Sequence, residues 1–287
     1  MVSVKNSSKN GMSEFEGLFN KIRVIHESSR NQQNFGFWST DSRAHWRGTA
    51  PKSRVEIPSA PFVIELEPPF WGLILGFSVK QYFTDPKTYL KAELKKKVFR
   101  YENFNDSTYI SKTIPIWLGV PFETTFFGLS PIYSDSDSPW VNKVPAIKSE
   151  KDLDELPPVD FFKSGLMPLA HRFYDEIREM LPEDFEVVFP EWEKSIFSVL
   201  WHIRGIENLL LDIYDRPDFV RKLFSRIRDE RKQWFIAWSK YFNKKIGPGN
   251  LLNDEVGSPV ISPKIYEEFV LPSEEELSDF HLSLIHI

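Results

Sequence analysis

An α/β fold with parallel strands is what this 287-residue sequence predicts, on two observations. Short apolar runs alternate with capped amphipathic helices, the pattern of strand–helix–strand units in a parallel sheet. Each run also ends in polar residues before the next helix, and the carboxyl ends of strands are where open α/β sheets and (β/α)8 barrels place their ligands. The clearest case is Asn253-Asp254-Glu255, an amide and two carboxylates where the apolar run NLL stops.

Residues 1–60 are polar and read as irregular, with a possible helix only in Phe19–Arg30. Thr84-Asp85-Pro86 predicts a helix start, a capping carboxylate followed by Pro in the first turn. Leu90, Leu94 and Val98 then recur every fourth residue on one apolar face. Thr108–Gly119 is rich in β-branched residues and reads as a strand region. Ser149–Pro158 is a short capped helical turn, and Met167–Leu181 an amphipathic helix. FEVVFPEW (Phe185–Trp192), ended by Pro190, reads as a buried strand. Glu191 and Glu193 follow it as Asn253–Glu255 follow theirs. Ser195–Asp215 is helical with a break at Gly205, and His202 within it reads as a packed histidine. The helix beginning near Pro217 carries the apolar stripe Phe219, Val220, Leu223, Phe224, Ile227, Trp234, Phe235 and Trp238. Ser262-Pro263 starts another.

Composition narrows the class. Hydrophobic residues make up 41% and charged residues 27%, and 25 Phe, 9 Trp and 9 Tyr promise an aromatic core. The net charge of −5 and the lack of any long basic run argue against a nucleic-acid footprint. The longest apolar patch, Pro69–Phe77, is too short to span a bilayer. With no signal-peptide pattern and no cysteine, a cytoplasmic protein without disulfides or thiolate metal ligands is expected.

Three stretches carry a family resemblance: Arg204–Arg231, Asn253–His281 and, less fully, Ser149–Pro168. They resemble the uroporphyrinogen decarboxylase superfamily, which also contains cobalamin-dependent methyltransferases. The resemblance implies an incomplete (β/α)8 TIM barrel over residues 81–281, an irregular N-terminal extension over 1–80 and a foreign tail at 282–287. That tail, LSLIHI, matches the translation of a transposase-adapter end, so His286 is not read as a ligand.

The resemblance also sets the expected chemistry. The decarboxylase branch binds its many carboxylates with an arginine-rich loop, for which bidentate guanidinium groups are suited; here only Arg43 and Arg47 lie nearby. The methyltransferase branch holds zinc through His-x-Cys and a later Cys, and zinc keeps the acceptor thiol as thiolate. Those ligands are expected beyond Phe280 in a longer protein, so this chain is expected to hold no metal and to be inactive by itself. The full protein is expected to be a corrinoid-dependent methyltransferase, with zinc, a corrinoid substrate or corrinoid protein partner, and a small-molecule acceptor. The runner-up is uroporphyrinogen decarboxylase. Asn253 and Asp254 are the expected substrate-orienting residues, with Glu255 beside them and Glu191 as a wall residue. Arg204 is a candidate for binding an anion, against the alternative of a salt bridge that ties its helix down. Asp106 is a candidate for holding pyrrole N–H groups.

Overall fold

The computed structural model describes residues 7–38, 61–253, 255–257 and 260–283. It is a helix-rich α/β structure. In chain order the elements are α1 (Ser7–Glu27), α2 (Ser29–Trp38), α3 (Pro68–Leu75), α4 (Val79–Tyr82), α5 (Pro86–Asn103), β1 (Thr113–Pro115), β2 (Pro131–Ile132), β3 (Trp140–Val141), α6 (Glu150–Asp154), α7 (Met167–Met180), β4 (Glu186–Val188), α8 (Ile196–Leu200), α9 (Ile206–Asp215), α10 (Pro217–Phe242), α11 (Pro263–Ile265) and α12 (Leu271–Ser283). A 3-10 turn spans Glu123–Phe127, and π-turns span Trp201–Gly205 and Tyr266–Val270. The chain divides into two compact units, Met1–Ile116 with Ser134–Ser138 and Arg172–Phe189, and Trp117–Tyr133 with Pro139–His171 and Pro190–Ile287.

In the first unit β1 and β4 pair in parallel, Ile114 opposite Val187, as the apolar run before Pro190 predicts. Asp85 caps α5, accepting from the Thr88 N–H at 2.8 Å, and Pro86 opens it. Leu90, Leu94 and Val98 are all buried on its inner face. The aromatic core gathers here: Tyr89 donates its hydroxyl to the Pro115 carbonyl at 2.6 Å and meets the Phe173 ring at 5.5 Å. Glu93, buried, accepts from Tyr82 and Lys96, both at 2.6 Å, which is how a carboxylate is kept inside.

Within the expected N-terminal extension only residues 7–38 and 61–80 are described, and residues 39–60, with Arg43 and Arg47, lie outside the described residues. Residues 7–38 form two helices, and Phe15, Phe19, Ile22 and Ile25 are buried along α1. Two buried asparagines fasten α2. Asn31 bonds both the N–H and the carbonyl of Ile110, at 2.8 and 3.0 Å, and Asn34 donates to the Thr108 carbonyl at 2.9 Å. Backbone groups of Thr108 and Ile110, outside any regular element, thereby gain partners. Asp184 joins the far end of the unit through a two-pronged bond from Arg23, at 2.7 and 2.9 Å.

In the second unit β2 and β3 pair antiparallel. Lys194 and Leu252 form a parallel bridge, so the NLL run is strand-like for a single residue pair. Ser149 and Asp152 make a reciprocal capping box on α6. The predicted stripe of α10 is buried from Phe219 to Phe235, and Trp238 is half-buried. Trp192 meets Phe126 and Phe127 edge-on at 5.4 and 5.8 Å. Trp234 meets Phe161 at 5.2 Å and donates to the Met167 sulfur at 3.4 Å. Gly165 has φ +51° and lies hard against Thr125. Among the described residues, strands of two or three residues form two-stranded sheets, and no helix is long and apolar enough to cross a membrane.

Candidate functional site

Two parallel segments of the second unit, 193–195 and 250–252, frame the site. The Leu252 N–H donates to the Glu193 carbonyl at 2.8 Å, and the Ser195 N–H donates to the Leu252 carbonyl at 2.9 Å. Arg231 of α10, only 1% exposed, ties both together, donating to the Lys194 carbonyl at 2.6 Å and the Asn250 carbonyl at 2.7 Å. Burial draws its guanidinium down to about 10, against the pull of Glu123, Glu193 and Glu191. Glu123 completes the frame, accepting from the N–H groups of Glu193 and Lys194 at 2.9 and 3.0 Å.

Past Leu252 the chain delivers Asn253 and Glu255. Glu255 accepts from the Ser198 hydroxyl through Oε2, while Lys194 Nζ and His202 Nε2 each stand 4.0 Å from Oε1. The His202 ring meets Trp140 edge-on at 5.4 Å. Burial, and then the charge of Lys194, bring the imidazole down to about 4, so it is neutral at neutral pH. Asn253 donates its amide to Glu274, whose other oxygen accepts from the Tyr266 hydroxyl at 2.5 Å. That bond is the main reason the phenol is pushed up to about 12. Asn253 Oδ1 is buried and finds no hydrogen-bond partner among the described residues.

Of the residues expected from sequence, Asn253 and Glu255 thus stand at one end of paired parallel segments. Asp254 lies outside the described residues. Glu191 is half-buried and adds to the negative field around Arg231. Arg204 takes the structural alternative: it pairs with Asp212 at 2.7 Å and donates to the carbonyls of Ile147 and Lys148 at 3.1 and 2.9 Å. Its Nε and one terminal nitrogen are thus engaged within the fold. Asp106 belongs to the first unit, where it accepts from the Ile64 and Thr108 N–H groups and the Thr108 hydroxyl, at 2.9, 3.1 and 2.8 Å. Those bonds make it a local brace for the backbone.

Sequence reasoning missed Lys194, Ser198 and His202. Ser198 and His202 stand four positions apart, which places them on one helical stripe, and Lys194 lies four positions before Ser198, just ahead of the helix. The packed-histidine reading of His202 is correct as far as burial goes, yet it overlooked which carboxylate the ring faces.

The state of His202 has a measurable consequence. Its folded value of about 4 is below the ordinary unfolded value of about 6.5, so the unfolded chain binds the proton more readily. Stability is therefore whole above pH about 6.5 and falls as the pH drops toward 4, by about 3 kcal/mol at most. His202→Gln should flatten that part of the stability profile. Urea denaturation at pH 7, 5.5 and 4.5 checks it, and equal slopes in both proteins would refute it.

No known protein family and no curated protein matches the chain. Its architecture belongs to the mixed, helix-rich α/β class. A solved structure it resembles is a methyltransferase from Methanosarcina mazei, with a TM-score of 0.56 and 14% identity over 78% of this chain. The match spans 63% of that protein's length. At this identity the likeness is one of fold.

Proposed function

We propose that the chain is part of a methyltransferase of the uroporphyrinogen decarboxylase superfamily, one that takes its methyl group from a corrinoid and passes it to a small-molecule acceptor. The supporting observation is the corner at the end of segment 250–252, where Glu255 meets Lys194, Ser198 and His202. A methyltransferase of similar fold gives the same direction. In this reading the parallel segments are pieces of a barrel wall whose mouth holds the substrate. Asn253, its amide nitrogen held by Glu274, offers Oδ1 to an acceptor's polar hydrogen. Asp254 is placed beside it by sequence alone, and Glu191 is a wall residue of the same mouth.

Zinc is a separate matter. The chain has no cysteine, and among the described residues no three His, Asp or Glu side chains converge as a ligand set. The residues present do not fit the His-x-Cys and Cys site, which residues other than these would have to supply.

The test, made on a longer protein that supplies the zinc ligands, is methyl transfer from methylcobalamin to a panel of thiols, with uroporphyrinogen as an alternative substrate. Transfer is expected, and Glu255→Gln should lower it about 100-fold, the scale of a misplaced reactant. Porphyrinogen decarboxylation without methyl transfer would move the assignment to the decarboxylase branch.

A further inference from the structure

His202 holds a polar atom that the fold leaves idle. Its side chain is 7% exposed, its Nε2 has no hydrogen-bond partner among the described residues, and that atom stands 4.0 Å from Glu255 Oε1. A buried nitrogen left without a partner is costly to a fold, which makes its position beside a carboxylate informative. The charged groups around it are Lys194, just ahead of α8, and Glu255 itself; Trp140 of β3 adds an uncharged edge. Ser198 occupies Glu255 Oε2 and is itself held by the Ser195 hydroxyl at 2.9 Å. Oε1 is left facing His202 and Lys194.

We propose that Glu255 and His202 are a proton-handling pair, in which Glu255 Oε1 takes the proton of an acceptor that arrives as X–H and His202 Nε2 shares it. The substrate class is then a protonated nucleophile: a thiol, an alcohol or an amine. This rests on the methyl-transfer reading. The X–H bond breaks and its proton goes to Oε1, while the electron pair on X forms the new bond to the methyl carbon. The bond from that carbon to its methylated-corrinoid donor breaks, and that pair stays with the donor. The proton on Oε1 passes to Nε2 or to water. Closing the 4.0 Å separation to hydrogen-bond length takes a side-chain movement of about 1 Å. Burial and Lys194 bring the imidazole down to about 4, which leaves Nε2 an unprotonated acceptor at neutral pH. Glu255 is thus the catalytic residue and His202 a positioning residue that acts through it.

The experiment is an NMR titration of the His202 ring in the full chain, assigned with His202→Gln, followed by pH–rate profiles. A carboxylate at this range favours the charged imidazole, so Glu255→Gln should lower the His202 midpoint by about one unit. Lys194→Met should raise it by a similar amount. An unchanged midpoint in Glu255→Gln would overturn the pair and leave His202 a packed ring. Where methyl transfer is measured, His202→Gln should shift the acid limb of kcat/KM and leave KM little changed; loss of activity with no change of limb would make the role merely structural. Coupled titration in a protein that transfers no methyl group to any X–H acceptor would uphold the pair's coupling and refute the reading it rests on.

Discussion

Gly165→Ala is expected to unfold much of the second unit's packing. The added Cβ would overlap Thr125 Oγ1 and lie 2.5 and 2.6 Å from that residue's carbonyl carbon and oxygen. Rotating the threonine moves the hydroxyl but not the backbone, so the clash persists. The backbone at Gly165 also has φ +51°, a region costly for residues with a Cβ. Thr125 Oγ1 accepts from the Leu166 N–H at 3.0 Å and donates to the Phe122 carbonyl at 2.7 Å, and displacing it breaks both bonds. Together these predict a loss of about 3–5 kcal/mol, in the range of overpacking with lost buried hydrogen bonds. Urea denaturation followed by tryptophan fluorescence measures it. Gly36→Ala is the control: it lies in α2 with nothing within 4 Å of its Cβ position, and should be neutral or gain up to about 1 kcal/mol. Equal stability of the two variants would contradict the packing described.

Arg231→Met should cost a similar amount, about 3–5 kcal/mol, the scale for removing one partner from a buried charged network. It orphans the carbonyls of Lys194 and Asn250 and leaves Glu123, Glu193 and Glu191 without the cation whose field they share. Arg231→Lys should recover only part of this, because one ammonium does not reproduce a fork that reaches two segments. The same melts check both, and a lysine variant as stable as the parent would show that charge, and not the fork, is what counts.

Much of the scaffold was legible because it is local. Asp85 with Pro86, the Ser149 box and Ser262 each announce a helix start by chemistry within four residues. The α10 stripe is long enough for its period to be plain. α1 was passed over because Phe15, Phe19, Ile22 and Ile25 are diluted by polar neighbours, although their spacing of four, three and three is helical. α2 carries its information in Asn31 and Asn34, whose partners lie more than 70 residues away. The site behaved likewise. Asn253 and Glu255 were readable from their place after an apolar run, but the neighbours of Glu255 come from 57 and 53 residues upstream, at Ser198 and His202. Arg204 and Asp106 show the reverse: charge in a suggestive place, spent on bonds that sequence position does not reveal.

The π-turn at Trp201–Gly205 bears on how this corner tolerates change in length. Each residue of an α-helix turns the chain by about 100°, but this turn closes on Gly205, whose φ of +80° takes the backbone out of the helical region before α9 begins, the break expected from sequence. The direction of α9 relative to α8 is set at that glycine, so removing a residue between them would turn one helix against the other. His202 would swing away from Glu255, and Arg204 would lose its angle to Asp212, eight positions on. At this junction direction is held by a single glycine, so a residue with a Cβ there would strain the backbone as well as change the chemistry.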